Sequence, residues 1–156
     1  QHEARIRKRI TIATSLAVEA LVVQVDQNQM RQVFWNLATN AFDAMPEGGQ
    51  LNISTGCRHV DAPGRSGDVV EIAFQDTGDG IAQDHLDKIF LPFFTTKKDG
   101  SGLGLAGVHR IVDLHGGWIK VESQPQRGTC FVVCLPRSGD DGVRLWHEGR
   151  TPWKRS

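Results

Sequence analysis

The stretch that decides the fold is residues 30–44, which read MRQVFWNLATNAFDA. Its apolar residues recur at the 3.6-residue period of a helix with one buried face. They are Met30, Val33, Leu37, Ala41 and Ala44. Asp26 or Asn28 is suited to cap the start of this helix, and the turn-forming residues 46–49 end it.

Strand patterns flank this helix on both sides. Before it, Arg9–Ser15 alternates as a short strand does, and Ala20–Val25 is a second apolar run that we count with the strands. After it come two further strands, Leu51–Thr55 and Val69–Gln75, with a loop of hairpin type over residues 58–68.

The second half of the chain repeats the alternation of helices and strands. The expected elements are a short helix over Gln83–Ile89, a long loop over Phe90–Gly102, a helix over Leu103–His115, and a hairpin of strands Trp118–Ser123 and Thr129–Leu135. This order predicts an α+β fold, a two-layer α/β sandwich whose mixed, mostly antiparallel sheet carries helices on one face.

The bulk composition is that of one globular domain. The chain has 156 residues, 39% of them hydrophobic, which excludes disorder and coiled coil. With 18 basic and 18 acidic residues the net charge is zero, so no nucleic-acid partner is expected. We expect residues 1–138 to form the domain and residues 139–156 a polar tail whose Trp146 and Trp153 are available for docking.

The three cysteines indicate a reducing compartment, so a cytoplasmic location is expected. Cys130 and Cys134 lie four strand positions, about 13 Å, apart, too far for a disulfide, and read as small buried side chains. No apolar stretch is long enough to span a membrane, so this segment is expected to make no membrane contact. Because the chain starts at Gln1, we expect it to be part of a longer protein, for which an upstream membrane anchor stays open.

Asn36, Asn40 and Asp43 form a polar stripe at the edge of the buried face of the first long helix, since they are spaced by four and three residues. An asparagine offers a neutral carbonyl oxygen to a hard cation, and Mg²⁺ takes few protein ligands beside phosphate oxygens and water. The stripe is therefore suited to hold a magnesium triphosphate. Ordinary surface residues would give the same spacing.

Two glycine-rich segments follow. Asp76–Gly80 comes directly after an apolar strand, where a carboxylate is placed to accept from an exocyclic amine, although Asp and Gly also favour a simple tight turn. Gly100–Leu105 opens a helix, whose backbone amides attract phosphate, although a flexible hinge has the same composition. Gly102, Gly104 and Gly107 also fit a dinucleotide-binding spacing, but the preceding loop is polar where that motif requires a hydrophobic strand.

Taken in order, these motifs resemble the ATP-binding domain of sensor histidine kinases, in the superfamily shared with gyrase, the heat-shock chaperone and the mismatch-repair ATPase. The resemblance spans residues 9–136. The motifs that carry it are an asparagine box at 36–44, a first glycine box at 76–80, a phenylalanine box at 90–94, a second glycine box at 102–105, and Gly128-Thr129.

The resemblance implies ATP and Mg²⁺ as cofactors. Asn40 would ligate the metal, Asp76 would accept from the adenine amine, Gly78 and Gly80 would let the backbone close on the purine, and residues 90–102 would form a lid. Catalytic roles fall on Asn36, Asn40 and Lys97. The implied nucleotide contacts are Asn36, Asn40, Asp43, Asp76, Gly78, Gly80, Ile81, Phe93, Thr95, Thr96, Lys97, Ser101, Gly102, Leu103, Gly104, Leu105 and Thr129.

Residues 93–97 and 100–102 are similar to the nitrogen-regulation type of sensor kinase. Two positions depart from the common pattern. Asp43 stands where many sensor kinases have a basic residue, and Thr95 stands where many have an arginine, which leaves Lys97 or Lys98 to supply the charge.

The asparagine at position 36 bears on the reaction. The hydrolysing branches of the superfamily carry a glutamate there, and an amide cannot act as the general base that activates water. The resemblance therefore implies transfer of the γ-phosphate to a histidine on a separate dimerisation domain, for relay to a response regulator. His2-Glu3 lacks the sequence of such an acceptor. An ATP-binding module without phosphotransfer and a serine-directed anti-sigma kinase remain as alternatives.

Overall fold

The computed structural model describes residues 9–96, 100 and 102–138, and within them the chain forms five strands and three helices. In chain order these are β1 (Ile10–Ser15), α1 (Gln27–Ala44), β2 (Gly49–Ala62), β3 (Arg65–Asp76), α2 (Gln83–Leu86), α3 (Gly104–Leu114), β4 (Trp118–Gln124) and β5 (Gly128–Pro136).

The strands form one sheet in the order β1-β2-β3-β5-β4. Only the β1–β2 pair is parallel, and the other three pairs are antiparallel. The buried residues of α1 and α3 join a single hydrophobic cluster with the inward side chains of β2, β3 and β5. The predicted α+β sandwich, with a mixed sheet and helices on one face, is confirmed.

Helix α1 follows its sequence pattern closely. Asp26 is the N-cap, and its side chain accepts a hydrogen bond of 2.9 Å from the backbone N–H of Gln29. Met30, Val33, Leu37 and Ala41 are the buried residues of the helix. The helix thus presents one apolar stripe to the sheet and carries its polar stripe to the edge of that contact.

The hairpin between β2 and β3 corrects the sequence prediction. The loop expected over residues 58–68 is confined to Pro63 and Gly64, because both strands continue to Ala62 and from Arg65. Charged residues in this ribbon pair across the strands: Arg58 meets Glu71 at 2.7 Å, and His59 meets Asp68 at 2.8 Å. Polar residues of this kind are typical of loops, and the cross-strand pairs that hold them in strands join residues 13 and 9 positions apart in sequence.

The apolar run Ala20–Val25 is not a strand, although it was counted as one. Leu21, Val23 and Val25 pack against the core and the residues between them are exposed, as in a strand. No strand pairs with this segment in the described part of the chain. It is tied instead by a hydrogen bond of 2.7 Å from the N–H of Ser138 to the carbonyl of Val22.

The remaining boundaries shift by a few residues. The short helix ends at Leu86 rather than Ile89, and α3 spans Gly104–Leu114. The described residues between Phe90 and Gly102 belong to no helix or strand, as expected for the loop. The predicted tail at residues 139–156, with both of its tryptophans, lies outside the described residues. Within the described part, no helix is both long and apolar enough to cross a membrane.

Candidate functional site

A cavity of about 800 Å³ opens between α1, the ends of β3 and β5, α2 and the start of α3. This volume is in the range of small-molecule and cofactor sites. Most of the residues that the resemblance assigned to the nucleotide lie in its wall. They are Asn36, Asn40, Asp43, Asp76, Gly80, Ile81, Thr95, Thr96, Gly102, Gly104, Leu105 and Thr129.

Five of the expected contact residues are not placed in that wall. Gly78, Phe93 and Leu103 are described but do not line the cavity. Phe93 has φ 67° and is 75% exposed, and the neighbouring Phe94 lines the cavity instead. Lys97 and Ser101 lie outside the described residues.

Nine lining residues are absent from the expected contacts: Thr39, Ala44, Asp79, Ala82, His85, Ile89, Phe94, Gly100 and Phe131. Thr39, Ala44, Asp79, Phe94 and Gly100 nevertheless lie within the boxes or the lid on which the resemblance rests. Some carried a usable signal. Phe131 lies two residues after Thr129 on β5, so strand alternation places it on the same face. Ala44 lies four residues after Asn40 on α1, one helical turn further along the same stripe.

Asp76 is the best-defined polar group of the site. Its side chain is buried, with 4% of the residue exposed, at the end of β3. One carboxylate oxygen, Oδ1, accepts backbone N–H bonds from Gly78 at 2.9 Å and from Thr129 at 3.2 Å. Burial raises the pKa of Asp76, and the nearby charge of Asp79 adds to this, while the two N–H bonds oppose it.

The second oxygen of Asp76, Oδ2, accepts no hydrogen bond from the described part of the chain. Yet none of the fully buried side-chain oxygens or nitrogens among the described residues lacks a partner, so Oδ2 must reach accessible space. Asp76 lines the cavity, and that is the space available to it. The fold therefore fixes one oxygen of the carboxylate and leaves the other facing the cavity.

A small hydroxyl network holds this end of the site together. Ser123 Oγ lies 2.8 Å from Thr129 Oγ1 and donates to the carbonyl of Gly128 at 3.0 Å. The same hydroxyl oxygen accepts from the N–H of Ile81 at 2.8 Å. The network joins the β4–β5 hairpin to the segment that leads into α2, so the wall beside Asp76 is rigidly positioned.

The glycines after Asp76 are needed for packing within the protein. A Cβ on Gly78 would collide with the carbonyl of Ala44 at the end of α1. Gly80 has φ 73°, and a Cβ there would collide with the carbonyl of Gln124. The sequence interpretation assigned these glycines to close approach of the purine. The structure supplies a separate reason, the close approach of two backbone segments.

The start of α3 forms another part of the cavity wall, beside Asn36 of α1, whereas Ala44 further along α1 accepts from the N–H of Asp79. Leu103 is the N-cap residue and provides no side-chain cap, so the first amides of the helix are not capped from that position. A Cβ on Gly104 would meet no atom within 4 Å, although Gly104 lines the cavity. The space beside this helix terminus is open, which suits a bound anion.

Asn36, the first residue of the α1 stripe, contacts the start of α3. Asn36 Nδ2 lies 3.5 Å from the carbonyl of Gly104, a long hydrogen bond that links α1 to the start of α3. Asn40 and Asp43 line the same cavity. Among the described residues no three His, Cys, Asp or Glu side chains cluster as a metal site. The available donors suit a cation such as Mg²⁺, which is carried largely by its phosphates and needs only one or two protein oxygens.

Comparisons with known proteins agree with this geometry. The family model of histidine kinase-, DNA gyrase B- and HSP90-like ATPases matches residues 25–139. The sensor histidine kinase ZraS of Escherichia coli K12 is 44% identical over 114 residues, which are 73% of this chain and 23% of that protein. Sporulation kinase D of Bacillus subtilis 168 is 42% identical over 123 residues, 79% of this chain and 23% of that protein.

Among solved structures, the nucleotide-free catalytic domain of histidine kinase ThkA superposes with a TM-score of 0.69 at 32% identity. The match covers 82% of this chain and 80% of that domain. The chain spans about a quarter of the length of the two curated kinases. These relatives do not support the nitrogen-regulation subtype. The chain belongs to the family of histidine kinase-, DNA gyrase B- and HSP90-like ATPases, as a catalytic domain of the histidine kinase type.

Proposed function

We propose that the cavity binds Mg-ATP and that the domain transfers the γ-phosphate to a histidine of a separate dimerisation domain, for relay to a response regulator in the cytoplasm. The observation that carries this proposal is the arrangement of Asp76. Its carboxylate is buried, one of its oxygens accepts two backbone N–H bonds, and its other oxygen reaches a cavity whose wall also contains Asn40 and the start of α3.

The adenine would occupy the end of the cavity near Asp76. The exocyclic amine of adenine is a hydrogen-bond donor, which complements the carboxylate oxygen presented by Asp76. Ile81, Ile89 and Phe131 line the same cavity and give apolar surface for the flat base. A donor-specific polar contact within an apolar wall is the usual way in which such a site selects one base.

The triphosphate would lie toward α3 and α1. The first amides of α3, and Gly104 with its open side, would meet phosphate oxygens. Asn40 would provide the protein ligand to Mg²⁺, which when bound neutralises part of the phosphate charge. Lys97 and Ser101 stay proposed contacts on the strength of the sequence alone.

The site favours phosphate transfer to an acceptor over hydrolysis. Asn36 lies at the phosphate end, bonded to the carbonyl of Gly104, and its amide has no lone pair of useful basicity toward water. Phosphoryl transfer depends chiefly on positioning and charge neutralisation, which this site can supply. The nitrogen-regulation subtype is a finer proposal that rests on residues 93–97 and 100–102 alone.

Nucleotide binding is tested by calorimetric titration of the chain with a non-hydrolysable ATP analogue, with and without magnesium. We expect wild type to bind more tightly with Mg²⁺ and Asn40→Ala to lose that difference, because the metal loses its protein oxygen. Asn40→Asp is the matched control, since it keeps an oxygen at the same position. Equal wild-type affinity in the two buffers would contradict the role of Asn40.

Phosphate transfer is tested with γ-labelled ATP and an isolated histidine-bearing dimerisation domain supplied in trans. Label on the histidine, stable to base and labile to acid, is the expected result. Tight ATP binding with no labelled acceptor would instead support a binding module, and base-labile label on a serine would support the anti-sigma type of kinase.

A further inference from the structure

His85 is a lining residue that the sequence motifs did not single out. The charged groups of the described cavity wall are three carboxylates, Asp43, Asp76 and Asp79. Among the described lining residues His85 is the only basic side chain. A bound nucleotide would place negative charges and hydroxyl groups next to this wall. The imidazole of His85 can offer a hydrogen-bond donor to such groups.

The backbone directs His85 into the cavity. His85 lies in α2, and Ile81 before this helix and Ile89 after it also line the cavity, so the segment runs along the cavity wall. Two hydrogen bonds fix this turn. The N–H of His85 donates to the carbonyl of Ala82 at 2.9 Å, and the N–H of Lys88 donates to the carbonyl of His85 at 2.8 Å.

The imidazole of His85 is held in place, and its nitrogens have no hydrogen-bond partner among the described residues. The ring is half-buried and packs against Phe94 in a T-shaped contact, with centroids 5.5 Å apart. No hydrogen bond or ion pair joins its ring nitrogens to any of residues 9–96, 100 or 102–138. Packing therefore orients the ring, and no group in the described part of the chain competes for its nitrogens.

His85 lies between the two ends of the site. On one side, the N–H of Ile81 donates to the hydroxyl of Ser123. Ser123 lies on the same hairpin as Thr129, whose N–H donates to Asp76. On the other side, Phe94 follows Phe93, whose N–H donates to the carbonyl of Gly102 at 2.9 Å, two residues before α3 begins. With the base at Asp76 and the terminal phosphates at α3, the part of a nucleotide nearest His85 is its ribose and first phosphates.

We propose that His85 donates a hydrogen bond to an oxygen of the ribose-phosphate part of the bound nucleotide. The inference rests on the nucleotide binding proposed above. Ribose hydroxyls and phosphate oxygens both accept hydrogen bonds, and an imidazole N–H on the cavity wall has no described partner to compete with them. The site then selects a nucleoside phosphate over a bare purine at a position outside the family motifs.

The test measures dissociation constants for adenine, adenosine, ADP, ATP and the 2′- and 3′-deoxy forms of ATP with the full chain. His85→Phe keeps a ring against Phe94 but removes both nitrogens, and His85→Asn keeps a side-chain donor. We expect His85→Phe to weaken ATP binding about 10-fold, with partial recovery in His85→Asn. His59→Ala, on the distant hairpin, is the control, and thermal melting monitors the fold of each variant.

The ligand series then locates the contact. Equal adenosine affinity with weaker ADP and ATP binding supports a phosphate oxygen. If His85→Phe weakens adenosine binding, and one deoxy form of ATP binds the variant and wild type equally well, the contact is with the hydroxyl that this form lacks. His85→Phe with unchanged affinity for every ligand, or with an equal loss for adenine and ATP, would overturn the inference. If wild type binds ATP and only Asp76 variants lose it, the proposal for His85 fails while the nucleotide site stands.

Discussion

Replacing Asp76 with asparagine exchanges one oxygen of a buried carboxylate for an amide nitrogen. Oδ1 already accepts the N–H bonds of Gly78 and Thr129, so the asparagine oxygen takes that place and its NH₂ group turns to the cavity. The group that faces the base thereby changes from an acceptor to a donor. The backbone N–H groups of Gly78 and Thr129 keep their hydrogen-bond acceptor.

The expected loss follows from the type of hydrogen bond removed. A bond to a charged acceptor contributes about 1.5–3 kcal/mol, so Asp76→Asn should weaken ATP binding about 10- to 150-fold. Inosine carries an acceptor where adenine carries its amine. The variant should therefore lose less affinity for ITP than for ATP, and its preference between the two should shift toward ITP.

Although Asp76→Asn should weaken ATP binding, it should not lower the folding stability at neutral pH. Burial raises the pKa of Asp76 above its ordinary value of 3.8 in the folded protein. The folded state then binds the proton more tightly than the unfolded state, so the contribution of Asp76 to stability falls as the pH rises from 3.8 through the raised pKa. We expect Asp76→Asn to be at least as stable as wild type at neutral pH, with its advantage lost in acid.

Calorimetry with ATP and ITP measures the binding, and urea unfolding at neutral and acidic pH measures the stability. The reasoning is refuted by unchanged ATP affinity in a folded variant. A variant that loses both ATP and ITP binding together with its fold at neutral pH would also refute it, because the two backbone bonds would then not have survived the change.

Three further substitutions or reactions probe separate parts of the account. Gly104→Ala should weaken ATP binding about 10-fold in a calorimetric titration, and Gly107→Ala should leave it unchanged. Both added methyl groups meet open space, but only Gly104 lines the cavity. Equal effects of the two substitutions would contradict this. Gly80→Ala should lower the free energy of unfolding in urea by about 1–3 kcal/mol more than Gly64→Ala does. Both glycines have positive φ, but only at Gly80 would the added Cβ meet a backbone carbonyl. Equal losses of stability would rule out the steric reason. Burial raises the pKa of the Cys134 thiol to about 11, so mass spectrometry should find it alkylated by iodoacetamide only after unfolding, and rapid labelling of the native protein would show the burial to be wrong.

The first helix was predictable because its information is local. The apolar period of residues 30–44 and the cap at Asp26 both lie within the helix or beside it, and both were confirmed. The β2–β3 ribbon was not predictable to the same extent. Arg58 and Glu71 are 13 residues apart, so their ion pair depends on a register that the polar sequence alone does not reveal.

In the candidate site, too, local features were predictable and long-range contacts were not. Asn40 and Asp76 were singled out from motif and position, and the structure brings both to one cavity. The support beneath Asp76 was not foreseen, because it comes from Ser123 and Thr129 on the last two strands. His85 escaped notice for a similar reason, since its place in the wall depends on how α2 packs beside the cavity.

The glycine-rich segment after β3 shows why a motif does not by itself give its physical cause. Gly78 and Gly80 were assigned to approach of the purine, whereas a side chain at either position would first meet the protein backbone. Gly104 is the reverse case, because nothing in the described protein requires its lack of a side chain. The phosphate contact proposed above would account for Gly104, whereas packing within the protein already accounts for Gly78 and Gly80.

The most direct test of the account is a structure of this chain with magnesium and a non-hydrolysable ATP analogue. The account predicts the adenine amine about 3 Å from the free carboxylate oxygen of Asp76. It also predicts the metal on the side-chain oxygen of Asn40 and the phosphates at the start of α3. A nucleotide bound outside this cavity, or bound within it with the base turned away from Asp76, would contradict the central claim.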